Sequence, residues 1–280
     1  KGSLIVRGAG DPSITSVGEA DEWGGEIALM TALVRAAGIL EVRGDIVADE
    51  SAFHGPPFGS GWQWDDLEYY YGAEVSALTV NNNAVALTVK PGSRPGLPVD
   101  VTLRPPTTFL SVSNLAVTCS AAREARLRVS RPLLSGTVFV EGRLPVGHTG
   151  EVERVSVPRP AAWFGELLEA GLRRGGVRVS GSVRVVGPDA SRATRSNSDG
   201  TYEIGSVISP PLRDLVRRMM KPSQNLHAQL LLMQVGAAEA GRGKTDPPAV
   251  PAAAARGVSP TSAVDSATDA LLPESAEASG

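Results

Sequence analysis

The chain has 280 residues, 42% of them hydrophobic and 5% aromatic, with 31 glycines, one cysteine and a formal net charge of −3. That length and apolar share can bury one sizeable core or two small ones, and so many glycines beside so few aromatics point to β structure with many turns. The small negative charge argues against nucleic acid as the main partner, because such partners select concentrated basic surface. Cys119 has no second cysteine to pair with, and no apolar run approaches the ~20 residues a bilayer span needs. The first residue is Lys1 and no basic-then-apolar leader precedes Leu4, so the chain reads as a mature product or a fragment.

In chain order, residues 4–7 (LIVR) form a short strand that runs into the turn Gly8-Ala-Gly-Asp-Pro12. The G-x-G there lacks a third glycine, since Ser13 stands in its place, and Pro12 spoils the start of a helix. A dinucleotide site is therefore set aside. Ile27, Met30, Leu33, Val34 and Ala37 recur at helical spacing and Gly38 follows at the position that stops helices, so 26–37 is predicted helical. Residues 39–47 read as a strand broken at Gly44. The same unit recurs later: Trp163, Phe164, Leu167, Leu168 and Leu172 line a helix face, Gly175-Gly176 ends it, and Val177, Val179, Val183 and Val185 alternate as strands interrupted at Gly181. The repetition predicts one α+β module in two halves, 1–51 and 158–205, separated by an insert.

The insert, 52–157, shows no sustained helical period and is expected to be all-β. Trp62, Trp64, Tyr69, Tyr70 and Tyr71 cluster among Asp65, Asp66 and Glu68. A sugar platform with a carboxylate pair is conceivable, but adjacent aspartates diverge on most backbones, so core packing is the expected role. Strands at 75–80 and 84–89 should form a hairpin through Asn81-Asn82-Asn83, because asparagine tolerates left-handed backbone. Further strands are expected at 99–103, 109–117, 126–129 and 136–140.

Residues 206–236 carry the strongest helical signal. Leu212, Leu215, Val216, Met219 and Met220 form one stripe, with Ser209 as its expected N-cap and Pro210-Pro211 in the first turn. Pro222 should end that helix. A second follows with Ser223 as its expected N-cap and Leu226, Leu230 and Met233 as its buried face, so that Ser223 and Asn225 share a first turn. On residue pattern alone Ser223 is a cap. In the tail, 237–280, 30 of 44 residues are Ala, Gly, Pro, Ser or Thr, a composition expected to stay disordered. Gly243-Lys-Thr245 looks like the end of a P-loop, but its leading glycine would fall on Ala238 and no strand precedes it. His54, His148 and His227 have no second ligand at metal spacing, and no G-x-S-x-G elbow occurs, so neither a metal nor a cofactor is expected.

Six stations in order nevertheless carry a family likeness: Leu4 to Gly10-Asp-Pro12; Gly44-Asp-Ile-Val-Ala-Asp-Glu-Ser-Ala-Phe53; Gly61-Trp-Gln-Trp-Asp-Asp66 with Tyr70-Tyr-Gly-Ala73; Ser76-Ala-Leu-Thr-Val-Asn81; Val157-Pro-Arg-Pro-Ala-Ala-Trp-Phe-Gly165; and Lys221-Pro-Ser-Gln-Asn-Leu226. Together they resemble the class C low-molecular-mass penicillin-binding proteins, the D-alanyl-D-alanine carboxypeptidases and endopeptidases of peptidoglycan. The resemblance implies a multidomain α+β chain: a penicillin-recognising α/β domain, represented here by 206–236, split by two inserted mostly β modules, one α+β and one all-β. It implies a site built from Ser-x-x-Lys, Ser-x-Asn and Lys-Thr-Gly, with stem peptides ending in D-Ala-D-Ala as substrates and β-lactams as ligands, outside the cytoplasm. In it, Ser223 relays a proton to the leaving amine and Asn225 binds the acyl-side amide, while Gln224 replaces the more usual Asp.

Two motifs of that site are missing from the sequence. The residues three before Lys90, Lys221 and Lys244 are Leu87, Arg218 and Gly241, and Lys1 has none, so Ser-x-x-Lys is absent; Lys244-Thr245 is followed by Asp246, so Lys-Thr-Gly is absent too. The chain as written is therefore expected to be inactive. The alternative reading is a non-catalytic envelope protein that keeps the inserted modules as a binding or scaffold unit.

Overall fold

The computed structural model describes residues 2–18, 23–189 and 201–242, with side chains to 239. Its first layer is a parallel sheet in the order β1 (Leu4–Arg7), β3 (Ile46–Asp49), β12 (Val183–Val186). All four residues of β3 are buried, as a central parallel strand covered on both faces requires. The short strands β2 (Glu41–Val42) and β11 (Arg178–Val179) pair parallel beside it. Strands of the two sequence repeats thus pair with each other, although more than 130 positions separate them.

The repeats' helices, α1 (Gly25–Ala36) and α2 (Pro160–Arg174), pack together with α2 across β3 and β12. Close approach is possible because α2 carries small residues at the crossing. A side chain at Gly165 would strike Val183, and one at Gly171 would crowd Ile27 and Thr31. The α2 stripe read from sequence is fully inside: Trp163, Phe164 and Leu172 have no exposed surface, and Leu167 and Leu168 have almost none. On α1 only Ile27, Thr31 and Val34 are buried, while Met30 is partly buried against the core.

The β portion has two further sheets. β4 (Ala84–Lys90) lies antiparallel between β10 (Glu151–Ser156) and β5 (Asp100–Arg104). β9 (Thr137–Pro145) pairs parallel with β6 (Ser111–Asn114) and β7 (Val117–Cys119) and antiparallel with β8 (Arg126–Ser130). Val138, Val140 and Leu144 of β9 belong to the same buried cluster as Leu87, Val157, Trp163 and Phe164, so the hydrophobic core is continuous from the β sheets into the α/β layer. β10 was not legible in the sequence, because Glu153 and Arg154 stand side by side in EVERVS and interrupt the apolar alternation.

Three expectations need correction. Residues 75–80 are loop, so there is no hairpin at 75–89. Asn81, Asn82 and Asn83 are left-handed as foreseen, with φ of 50°, 56° and 51°, but they turn the chain into β4 alone. The backbone of 75–80 is bonded elsewhere: Val75 N–H donates to the Pro57 carbonyl and the Ala77 carbonyl accepts from Gly10 N–H at 2.8 Å. The aromatic cluster is not core. Trp64 is 79% exposed, Tyr69 and Tyr71 stack at 5.5 Å on the surface, and Leu67 is the buried member of that segment. The helix after the double proline, α3 (Leu212–Met220), begins only beyond Pro211, so Ser209 is not its cap. Of its stripe only Leu215 is buried, with Leu212 and Met220 mostly exposed.

The last helix, α4 (Asn225–Arg242), continues six residues beyond Gly236. The rest of the expected disordered tail, 243–280, lies outside the described residues.

The glycines of the set-aside G-x-G have a packing reason. A Cβ on Gly8 would collide with the carbonyl of Ala77, and Gly10 adopts φ 79° with the Phe53 ring over its α-carbon. Gly8→Ala is expected to lower stability by about 1–3 kcal/mol, the usual cost of forcing atoms into a packed site, with an unchanged urea m-value. A variant with wild-type stability would refute the crowding argument.

Candidate active site

Ser223 sits in the turn between α3 and α4, and Asn225 opens α4. α3 ends by a Schellman arrangement: Gln224 N–H donates to the Met219 carbonyl at 2.9 Å, and Ser223 N–H donates to the Met220 carbonyl at 3.4 Å. In this motif the residue at the Ser223 position must be left-handed, and Ser223 has φ 53°. Glycine is the usual occupant because it has no Cβ to strain there. A serine in its place is a local conflict of the kind that concentrates at functional sites.

Ser223 is therefore not the N-cap of α4. That role belongs to Gln224: its carbonyl accepts from Ala228 N–H at 3.3 Å, and its side-chain Oε1 accepts from Leu226 N–H at 3.3 Å. Gln224 is buried at 6% exposure, whereas its neighbours Ser223 and Asn225 are exposed. The turn thus directs its middle residue inward and presents the serine and the asparagine to solvent. Sequence reasoning treated Gln224 only as a departure from the usual motif; its place just before an apolar helix was the available sign of a cap.

Five side chains fix α4 to the rest of the fold. Leu226 and Leu230 have no exposed surface and pack with Phe53, Ala73 and Ala77, and Met233 covers the same cluster, as its sequence stripe predicted. The Gln234 side chain donates to the Gly10 carbonyl at 2.7 Å. His227, 6% exposed, lies 2.7 Å through Nε2 from Oδ1 of Asn82. An amide oxygen can only accept, so Nε2 carries the proton. Nδ1 is buried without a partner. Burial, and then the positive charge of Arg218, hold the His227 pKa down at about 4 against the opposing pull of Asp11, so the ring is neutral at pH 7.

Among the described residues no group of three or more His, Cys, Asp or Glu is arranged to hold a metal ion. His148 serves a turn instead, its Nδ1 accepting from Gly150 N–H at 3.1 Å.

The family model for D-Ala-D-Ala carboxypeptidase 3 (S13) matches residues 1–268. The chain belongs to this family. It is 31% identical over 249 residues to a D-alanyl-D-alanine carboxypeptidase of Actinomadura, covering 87% of this chain and 44% of that protein. To the D-alanyl-D-alanine carboxypeptidase DacB of Haemophilus influenzae it is 26% identical, over 84% of this chain and 45% of the relative. The chain thus spans less than half the length of these relatives. The crystal structure of penicillin-binding protein 4 (dacB) from Haemophilus influenzae shares the fold at TM-score 0.62 and 21% identity, over 87% of this chain and 53% of that one. A second structure of that protein, complexed with a β-lactam, matches at TM-score 0.54 and 22% identity, over 82% of this chain and 45% of that one. The mixed α/β architecture seen here is therefore one that penicillin-binding protein 4 shares. No helix among the described residues is long and apolar enough to cross a membrane.

Proposed function

We propose that this S13 chain supplies the Ser-x-Asn motif of a serine-type D-Ala-D-Ala carboxypeptidase or endopeptidase, acting on peptidoglycan stem peptides through an acyl-enzyme. The observation that carries this reading is the left-handed Ser223, held where glycine would be cheaper and presented to solvent with Asn225 while Gln224 points inward. In the reaction, a serine hydroxyl from a Ser-x-x-Lys motif attacks the penultimate D-Ala carbonyl, D-Ala leaves after its amine is protonated, and water releases the acyl group. Ser223 relays the proton to the leaving amine, and Asn225 donates a hydrogen bond to the acyl-side amide. β-Lactams acylate the same nucleophile, and the substrate puts the protein outside the cytoplasm. Residues 1–51 and 158–205 form an inserted α+β module, 52–157 an inserted all-β module, and 206–236 part of the penicillin-recognising domain.

Because residues 1–280 hold no Ser-x-x-Lys, the chain alone is expected not to be labelled covalently by a fluorescent penicillin. Joined to the Ser-x-x-Lys and Lys-Thr-Gly segments of an S13 relative, it should be labelled one to one and should release D-Ala from a stem pentapeptide. A folded chimera with neither property would overturn the enzymatic reading in favour of a non-catalytic envelope module.

A further inference from the structure

A binding role for the β portion is the obvious thought, but the contacts around the active-site turn point to a mechanical one. The turn has few restraints of its own: one strong backbone bond from Gln224, one long one from Ser223, and the Gln224 cap. Ser223 has to hold a backbone conformation that serine disfavours. The first turn of α4, two residues on from Asn225, is tied by His227 to Asn82, which is itself left-handed at φ 56° in the turn that leads into β4. Asn81 and Asn83 anchor that turn: Asn81 exchanges hydrogen bonds with Ser16, and the Asn83 amide donates to the Glu74 carbonyl at 2.8 Å.

We propose that His227 and Asn82 are positioning residues for the Ser-x-Asn pair, a clamp through which the three-asparagine turn of the β portion holds Ser223 and Asn225 in their presented geometry. The clamp rests on the carboxypeptidase reading only for its purpose. Its existence is a property of this chain, and its test measures no turnover. The charged groups facing His227 are Arg218, from α3, and Asp11, from the loop after β1; neither bonds the ring, so among the described residues Asn82 is its one hydrogen-bond partner.

The test is residue-resolved hydrogen exchange and NMR on the 280-residue chain. Asn82→Gly removes the amide while suiting the positive φ, and His227→Gln keeps a neutral donor that reaches the same oxygen. Loss of one such bond should reduce the protection of the Gln224 and Leu226 amides about tenfold in Asn82→Gly and in His227→Ala. Amides of β4 and β10 should keep theirs, His227→Gln should restore the turn, and wild-type His227 should show the Nε2–H tautomer. Unchanged Gln224 and Leu226 protection in Asn82→Gly would overturn the proposal, as would equal loss throughout the fold or failure of His227→Gln to restore it. Should His227→Ala not fold, Asn82→Gly decides the matter alone.

Discussion

Replacing Ser223 by glycine is expected to make the protein more stable and the completed enzyme far slower. At φ 53° the serine Cβ crowds its own backbone, a cost of roughly 1–2 kcal/mol that glycine does not have, and among the described residues the exposed hydroxyl makes no hydrogen bond that glycine would lose. Part of the gain is offset by glycine's greater freedom in the unfolded chain, so a net rise of about 0.5–1 kcal/mol in unfolding free energy is expected. Turnover of the chimera carrying the other two motifs should fall about 10²–10⁴-fold, since a positioned proton donor contributes that much to the transition state. Stability and activity then move in opposite directions, which no cap or packing role can produce. Ser223→Asp should be slow too, and it gains nothing as a cap because Gln224 holds that place. Urea midpoints and D-Ala release measure the two effects. Near-normal release by a folded Ser223→Gly chimera would remove Ser223 from the mechanism.

How far the sequence could be read depended on whether a signal was local. The two helix, glycine and strand units were legible because Gly38 and Gly176 sit at left-handed helix ends and the stripe of α2 is unbroken. Strands of the two units do pair with each other, in two separate parallel sheets, β3 with β12 and β2 with β11. The hairpin expectation failed because Asn81 to Asn83 do take the left-handed backbone it needs, while the partner of 75–80 is the distant Gly10 turn, which no local pattern announces. Trp64 and the tyrosines were assigned to the core on hydrophobicity, yet a short segment full of Asp and Glu can bury only one anchor, and Leu67 is that anchor. The stripe of α3 is real as a pattern, but amphipathicity says which face seeks cover without saying what covers it. At the site, the sequence placed a second helix start just after Pro222, as the structure has it, but put the cap one residue early, on Ser223 instead of Gln224. A serine between a proline and an apolar helix has the composition of an N-cap, and only the backbone reveals that it is the C′ residue of the preceding helix.

His227 leads to the last expected result, a loss of stability in mild acid that one substitution should remove. Its pKa in the fold is about 4, below the ordinary value of 6.5, so the unfolded chain binds a proton between those values that the folded chain refuses. The His227 contribution is therefore fully present above pH 6.5, declines as the pH falls toward 4, and levels off below that. The difference between 6.5 and about 4 corresponds to roughly 3 kcal/mol. Glu74, Glu153 and Glu166 act in the opposite sense, because burial raises their pKa values and the folded state takes up protons before the unfolded one. Their contribution grows as the pH drops and would partly hide the histidine in the wild-type curve. The decisive quantity is accordingly the difference between wild type and His227→Gln, measured by urea unfolding from pH 7.5 to 4, since glutamine keeps the bond to Asn82 and has no proton to gain. The variant should lose about 3 kcal/mol less than wild type over that interval, with most of the divergence below pH 6.5. Parallel curves would mean that the ring binds its proton equally in the folded and unfolded chain, and that burial and Arg218 do not govern its titration.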